Sequence, residues 1–274
     1  MFDTIKDKLG KFNIDLVSCL ALGECKIIRP YLLDRCGIEK GSVIIFAVPY
    51  LSPVACKKRN VSAYAVSRDY HIFFSSLFEK IIKELKESFP ENKFAGFTDH
   101  SPINEIEAAA KSGLGVIGEN HLLITEKYSS FVFLGEIITD AVLPSNAGET
   151  QSCIKCGKCF KACPVNGNIN SCLSALTQKK GELNENELIT LKKFGCAWGC
   201  DICQEVCPYT VSAIKSGSIF TKIDFFNNSL VPVLASNEIE MMDDAEFGER
   251  AYSWRGKQTI IRNLKILEGK EDEQ

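Results

Sequence analysis

The sequence predicts an α+β architecture in which an α/β domain is followed by a small cysteine-rich module. Three observations carry this expectation. The run Ser42 to Tyr50 (SVIIFAVPY) is β-branched and aromatic, is short, and meets a proline at Pro49, so it reads as a buried strand. From about Val61 to Phe89, apolar residues at Val66, Tyr70, Phe73, Leu77, Ile81 and Leu85 recur at spacings of three and four, the period of one helix face. Nine of the 13 cysteines fall between Cys153 and Cys207, with Pro164 and Pro208 directly after Cys163 and Cys207.

The totals bound the rest. A chain of 274 residues, 45% hydrophobic and 24% charged, is able to bury a full core. A net charge of -3 argues against a protein whose affinity comes mainly from neutralising nucleic-acid phosphates, although a local basic patch stays compatible with it. The opening Met1-Phe2-Asp3-Thr4-Ile5-Lys6 has no apolar signal core, so reduced cysteines and a cytoplasmic location are expected. The apolar run around Val43 to Val48 falls far short of the roughly 18 residues that a membrane span needs, and no membrane partner is expected.

Residues 1 to 40 read as short helices, with Ile14, Val17, Leu20 and Leu22 before a break at Gly23, then Ile27 to Cys36 ending at Gly37. Cys19, Cys25, Cys36 and Cys56 lack ligand spacing and are expected as small buried hydrophobes. The long amphipathic helix after Val61 should stop at Pro90, and Phe94 to Thr98 reads as a brief strand. Asp99-His100-Ser101-Pro102 follows it, with Ser101 placed to cap a helix and Pro102 to open it; Gly113 would end that helix. Asp99 thus stands at a strand-to-helix junction, where both neighbours fix its position.

Gly113, Gly115 and Gly118 have dinucleotide-fingerprint spacing, but they follow a helix and precede a strand, the wrong order for a nicotinamide or flavin loop. A close backbone approach to a flat ligand, or a tight connection, is expected instead. Leu122 to Thr125 and Phe131 to Thr139 read as strands joined by a turn around Lys127 to Ser130. The polar stretch Pro144 to Ser152 marks a domain boundary, and Asn184 with Glu187 forms a capping box before a spacer helix. Trp254 to Leu267 looks like a closing helical segment, and the charged end from Glu268 to Gln274 should fray.

Cys153, Cys156, Cys159 and Cys163-Pro164, then Cys196, Cys200, Cys203 and Cys207-Pro208, have the spacing of a protein holding two iron-sulfur clusters, each run lending its last cysteine to the other cluster. Ferredoxin logic assigns Cys153, Cys156, Cys159 and Cys207 to one 4Fe-4S cluster. A strict second motif would use Cys163, Cys196, Cys200 and Cys203, but Cys196 lies four residues before Cys200 and Cys172 competes with it. Paired zinc sites are the alternative, and the Cys-Pro ends favour iron-sulfur.

Several segments together resemble the epoxyqueuosine reductase family, enzymes of tRNA modification that use cobalamin and iron-sulfur clusters. They are Ser62-x-Tyr64-Ala65-x-x-Arg68-Asp69-Tyr70-His71, Thr98-Asp99-His100-Ser101-Pro102, Lys111-Ser112-Gly113-Leu114-Gly115-x-x-Gly118, Phe131-x-Phe133-Leu134-Gly135-Glu136, Gly199-Cys200-Asp201-x-Cys203-Gln204-x-x-Cys207-Pro208 and Arg262-Asn263-Leu264. The resemblance spans about residues 42 to 267. It implies a nitroreductase-like α/β domain that binds cobalamin without a protein histidine on cobalt, reduced to cobalt(I) through the double-cluster module. It further implies Asp99 as proton donor, which calls for a carboxyl kept protonated by burial away from cations. Ser62, Tyr64, Asp99 and the backbone at Leu123 and Leu134 match cofactor-lining positions, and Cys172 in place of Cys196 completes the second cluster with Cys163, Cys200 and Cys203. Asp69-x-His71 superficially matches the lower-ligand motif of other cobalamin proteins, with Phe74 where that motif has glycine.

The expected organisation is a cobalamin-binding catalytic domain over 1–144, a double 4Fe-4S ferredoxin-like module over 145–215, and a C-terminal helical segment over 216–274. Relative to many members, the chain lacks a C-terminal helical-repeat domain, is abbreviated before Val43, and has Ile106 where a basic residue is usual. The function so implied is reduction of epoxyqueuosine to queuosine in tRNA, with a ferredoxin- or flavodoxin-like electron donor and the tRNA anticodon stem-loop as partners. Two alternatives remain: the same cofactors acting on a small epoxide or halide, and a non-catalytic electron carrier.

Overall fold

The computed structural model describes residues 1–269. In chain order, α1 (Phe2–Gly10), β1 (Leu16–Ala21), α2 (Pro30–Cys36) and β2 (Ser42–Pro49) lead to α3 (Tyr70–Ser88), β3 (Phe94–Phe97), α4 (Glu105–Lys111), β4 (Val116–Ile117), β5 (Leu123–Ile124) and β6 (Val132–Thr139). The remainder is helical: α5 (Lys158–Ala162), α6 (Leu173–Thr177), α7 (Glu185–Phe194), α8 (Ile202–Glu205), α9 (Pro208–Ser216), α10 (Ser236–Met241), α11 (Asp244–Gly248) and α12 (Lys257–Glu268).

Four strands form one antiparallel sheet in the order β1-β2-β6-β3. Helices cover both faces, so β2 is buried along its whole length and reads as a continuous apolar run. Ile44, Phe46, Val48 and Ile137 pack toward α3, whose Phe73, Phe74, Leu77 and Ile81 fill that face. Val43, Ile45 and Ile138 pack on the other side against Leu33 of α2 and Ala108, Ala109 and Ala110 of α4. Gly135 permits the first layer to close, because a Cβ there would lie 2.6 Å from the rings of both Phe46 and Phe74.

Several local expectations change. Residues 16–21 are a strand, not helix: pairing with β2 from Leu16↔Ala47 to Ala21↔Ser42 overrides a spacing that also suits a helix. α3 begins at Tyr70, nine residues later than the apolar period suggests at its earliest, because bridges from Val61 to Trp198 and from Arg68 to Arg250 pin both ends of the preceding segment, which makes only a short 3-10 turn at Ala63–Ala65. Asp69 caps α3 by accepting from His71 N at 2.9 Å, and the helix stops before Pro90 as expected. α4 is capped by Asn104, not Ser101, since Ile103 is bridged to Ile27 and Ser101 Oγ accepts instead from Ile103 N.

β5 pairs with β4 in a separate ladder and does not join β6 in the main sheet. The glycine run is a tight connection: a Cβ on Gly115 would meet the Ile124 carbonyl oxygen at 2.5 Å. Cys19 and Cys25 are buried, whereas Cys36 is half-buried and Cys56 exposed. The capping box at Asn184 and Glu187 is present. Trp254 sits in a tight turn before α12, and Glu268 does not fray: its carboxylate accepts from Ser236 N and Oγ at 2.7 and 2.6 Å. The rest of the charged end, 270–274, lies outside the described residues.

Two buried polar side chains tie the cysteine-rich module to the segment before α3 and to α12. Asp201 accepts from Ser62 Oγ and Ala63 N at 2.6 Å, from Gln204 Nε2 at 2.9 Å and from Arg59 at 3.0 Å. Asn263 of α12 donates to the carbonyls of Thr177 and Ala197 at 2.7 and 2.8 Å. Removing one partner of a buried charge pair costs about 3–5 kcal/mol, and an orphaned carbonyl about 1–3 kcal/mol. Asp201→Ala is therefore expected to lower stability by about 3–5 kcal/mol and Asn263→Ala by about 2–3 kcal/mol. Urea midpoints of the cluster-loaded protein measure both, and an unchanged midpoint for Asp201→Ala would refute its bridging role.

Candidate active site and cluster-binding cavities

A cavity of about 570 Å³ opens where β3, β6 and the start of α3 meet the C-terminal segment. Tyr64, Tyr70, Phe133 and Trp254 supply aromatic walls, and Asp99 and His71 supply charge. The walls are built by stacking. Tyr70, the first residue of α3, lies on Phe133 of β6 with ring centroids 4.0 Å apart and planes at 16°, and His71 stacks on Tyr70 at 4.2 Å. Tyr64 accepts from Trp198 Nε1 at 2.8 Å, which fixes its ring against the chain around the second cysteine run.

Asp99 directly follows β3 and has φ +57, a left-handed conformation uncommon for a residue with a Cβ. Its backbone N–H donates to Glu105 Oε1 at 2.9 Å, and the flanking Thr98 Oγ1 donates to the Leu134 carbonyl at 2.8 Å. The carboxylate accepts from the Tyr70 hydroxyl and lies 3.4 Å from His71 Nε2. The other imidazole nitrogen, Nδ1, is 2.8 Å from Asp69 Oδ1. Both nitrogens of His71 are thus engaged by carboxylates.

Charge distribution follows from these contacts. Bonds to Asp69 and Asp99 raise His71 to about 10, so it is an imidazolium at neutral pH. Burial pushes the Asp99 carboxyl upward, but the bonds from His71 and Tyr70 outweigh it and hold the group below its ordinary value. Burial, with the neighbouring Asp99, drives the Tyr70 phenol far upward and keeps it a donor. The expectation of a protonated carboxyl away from cations is not met: Asp99 is ionised, and the available proton sits on His71.

The cysteines surround two small cavities. Cys153, Cys156 and Cys207 line one, and Cys163 and Cys172 line the other; Cys159 and Cys203 border both. Cys200 lies beside Cys203. Cys196 lines a separate groove together with Cys200; its thiol donates to the Trp198 carbonyl at 3.4 Å and is pushed up to about 12, chiefly by burial. Cys172 precedes α6, and Gln178 just beyond that helix reaches the aromatic cavity, about 9 Å along the axis at 1.5 Å per residue. Thr177 Oγ1 accepts from Gly199 N at 2.9 Å and ties α6 to the Cys200 loop.

Of the residues matched to cofactor positions, Tyr64 and Asp99 line the aromatic cavity. Leu134 is next to Phe133 and pairs with Ala47, while Leu123 is buried near α4. Ser62 is buried with its hydroxyl committed to Asp201, so its side chain holds the loop and does not line the cavity. Phe133 was legible only as part of a motif. Gln178, Ala251 and Trp254 come from distant segments with no local signal of their role.

A model described as epoxyqueuosine reductase QueG, DUF1730, matches residues 35–100, and one described as a 4Fe-4S double cluster binding domain matches residues 152–210. An epoxyqueuosine reductase of Gloeobacter violaceus is 31% identical over 216 residues, covering 75% of this chain and 68% of that protein. The chain spans only 57% and 64% of the length of those of Lactococcus garvieae and Listeria monocytogenes, at 30% and 33% identity over 72% and 84% of this chain. In fold it is similar to an epoxyqueuosine reductase crystallised with an epoxyqueuosine-modified tRNA stem loop, with TM-score 0.77, 21% identity, and coverage of 97% of this chain and 80% of that one. It is also similar to one from Bacillus subtilis whose catalytic aspartate loop is swung out of the active site, with TM-score 0.73, 20% identity, and coverage of 97% and 81%. By its sequence and its two matched regions, the chain belongs to the epoxyqueuosine reductase family.

Proposed function

We propose that the protein is a cytoplasmic cobalamin-dependent reductase that converts epoxyqueuosine to queuosine in tRNA, with electrons relayed through two 4Fe-4S clusters. The observation that carries this reading is the Asp99–His71 pair on the wall of an aromatic cavity, one short helix away from the second cysteine cavity. Removal of an epoxide oxygen as water takes two electrons and two protons, so a proton source and an electron route must meet at one place.

Cys153, Cys156, Cys159 and Cys207 are assigned to the outer cluster, where Cys156 is exposed; Cys163, Cys172, Cys200 and Cys203 are assigned to the inner one. Cys196 is left out because its thiol is committed to the Trp198 carbonyl, whereas Cys172 lines the inner cavity. The large aromatic-walled cavity fits a flat macrocycle, and the engagement of both His71 nitrogens agrees with binding that leaves cobalt without a protein histidine. Cobalamin bound there supplies a strongly reducing metal centre. Tyr64, Phe133 and Trp254 would hold its faces, with the nitroreductase-like domain of 1–144 as its seat, the module of 145–215 as its reductant, and the segment of 216–274 closing the cavity.

Asp99 is assigned the proton delivery to the departing oxygen: it takes each proton from His71, which Asp69 holds as a cation and whose half-exposed ring is recharged from solvent. The loop-borne aspartate of the Bacillus subtilis relative is the counterpart we assign to Asp99. The electron donor is a low-potential ferredoxin or flavodoxin that reaches the outer cluster, and the substrate is presented on a tRNA anticodon stem-loop.

With iron, sulfide and cobalamin restored anaerobically, the wild-type chain is expected to convert an epoxyqueuosine stem-loop. Asp99→Asn should lower kcat by about 10²–10⁴ with cluster absorption and cobalamin binding intact. A lack of stem-loop binding at physiological salt would move the substrate to a small epoxide or halide. Cluster absorption without corrin binding, and no effect of Asp99→Asn on electron transfer, would leave an electron carrier.

His71 gives a pH test. Its folded value of about 10 lies above the ordinary value of about 6.5. The stabilisation from its contacts is therefore full below about pH 6.5 and lost as pH rises through about 10. The His71 Cε1 proton should titrate well above the ordinary range, and Asp69→Asn should bring its midpoint down. An ordinary midpoint in the wild type would remove His71 as the proton reserve.

A further inference from the structure

Glu136 has no part in the chemistry above, yet it stands in the middle of the sheet. It lies on central strand β6 opposite Ile45 of β2 and Phe97 of β3, is fully buried, and neither carboxyl oxygen has a hydrogen-bond partner. A carboxylate so placed would cost several kcal/mol, so the group holds a proton. Side chains alternate along β6, so Glu136 faces the α4 side with Leu134 and Ile138, toward Glu105 at the start of that helix. Glu105 in turn accepts the backbone N–H of Asp99.

Resting on the assignment of Asp99 as proton donor, we propose that Glu136 is a positioning residue: from its buried, unpartnered place on β6 beneath the start of α4, it sets where Glu105 sits and so latches the left-handed Asp99 turn into the active site. Glu136 is fixed in the sheet, whereas Glu105 sits at a half-exposed helix start. While Glu136 is neutral it does not repel Glu105, and Glu105 keeps its Oε1 on Asp99 N–H. When both are ionised they repel, and the only one free to move is Glu105, which carries the Asp99 turn with it. Burial and the neighbouring carboxyls push Glu136 well above its usual range, and burial, with Asp99 nearby, raises Glu105 to about 7. The state with Glu136 neutral therefore spans neutral pH, and release belongs to the alkaline side.

The surrounding groups agree with this sign. Asp99 adds negative charge, and Ser101 offers its hydroxyl toward Glu136. Arg29, which donates to the Ser101 carbonyl at 2.8 Å, faces Glu105. The Cys25 thiol faces Glu136 from the turn after β1, with Lys111, Glu24 and Cys19 beyond it. Arg29 is the cation facing the pair directly, and it faces the mobile member.

Hydrogen exchange over residues 97–104 of the cluster-loaded protein, corrected for intrinsic rate, tests the latch without requiring turnover. Protection should be constant near neutral pH and fall by about tenfold as pH rises into the alkaline range in the wild type. Glu136→Gln keeps an uncharged side chain of the same size at all pH and should abolish that fall. Glu136→Leu should expose the Asp99 turn at every pH with β2 and β6 still protected, and should lower kcat while the stem-loop KM stays within about threefold. The same pH dependence in wild type and Glu136→Gln overturns the proposal, and this comparison decides it even if Glu136→Leu does not fold. A chain that shows the pH-dependent release but no turnover keeps the latch and sinks the activity.

Discussion

The constraint on which the rest depends is the buried carboxylate of Asp201. Four donors from two distant parts of the chain converge on it: Ser62, Ala63 and Arg59 from the segment before α3, and Gln204 from its own helix. Such a group is stable only when its lone pairs are filled, so the loop between Cys200 and Cys203 is docked against the segment carrying Tyr64 or it is not folded at all. The Trp198–Tyr64 bond lies in the same seam. Redox module and aromatic cavity are thereby held in one geometry by a handful of polar contacts at their shared boundary.

A second principle is the separation of charge around the cavity. His71 is held cationic between two carboxylates, while behind the Asp99 turn Glu105 and Glu136 are driven toward neutrality by burial. Solvent access explains the difference. Asp99 and His71 are about half exposed, at 53% and 55% of their side-chain surface, and form an ion pair with water nearby; Glu136, at 0%, has no such option. One short stretch of chain, 99 to 105, touches both regimes.

Much of this was legible in residue patterns. Short β-branched runs gave β2 and β6, Pro90 gave the end of α3, and cysteine spacing gave two cavities with Cys172 and Cys196 as rivals. What escaped was tertiary. β1 has a pattern compatible with either state and is decided by its partner β2, and Ser62 matched a cofactor position while its hydroxyl went to Asp201. Asp99 was placed correctly at a junction, but its ionisation depends on His71, 28 residues earlier, whose ring direction follows from the Asp69 cap. Trp254 and Gln178 reach the cavity through chain reversals that no local period encodes.

Gly135 extends the point to descent. The rings of Phe46 and Phe74 occupy the space a side chain would need, and Phe74 in turn packs edge-on to Phe133 of the cavity wall. Three strands of inheritance are tied there, since a methyl group gained at 135 can be accommodated only by shrinkage at 46 or 74. The lining of the cavity can drift one residue at a time; the layer behind it must be passed on as a set.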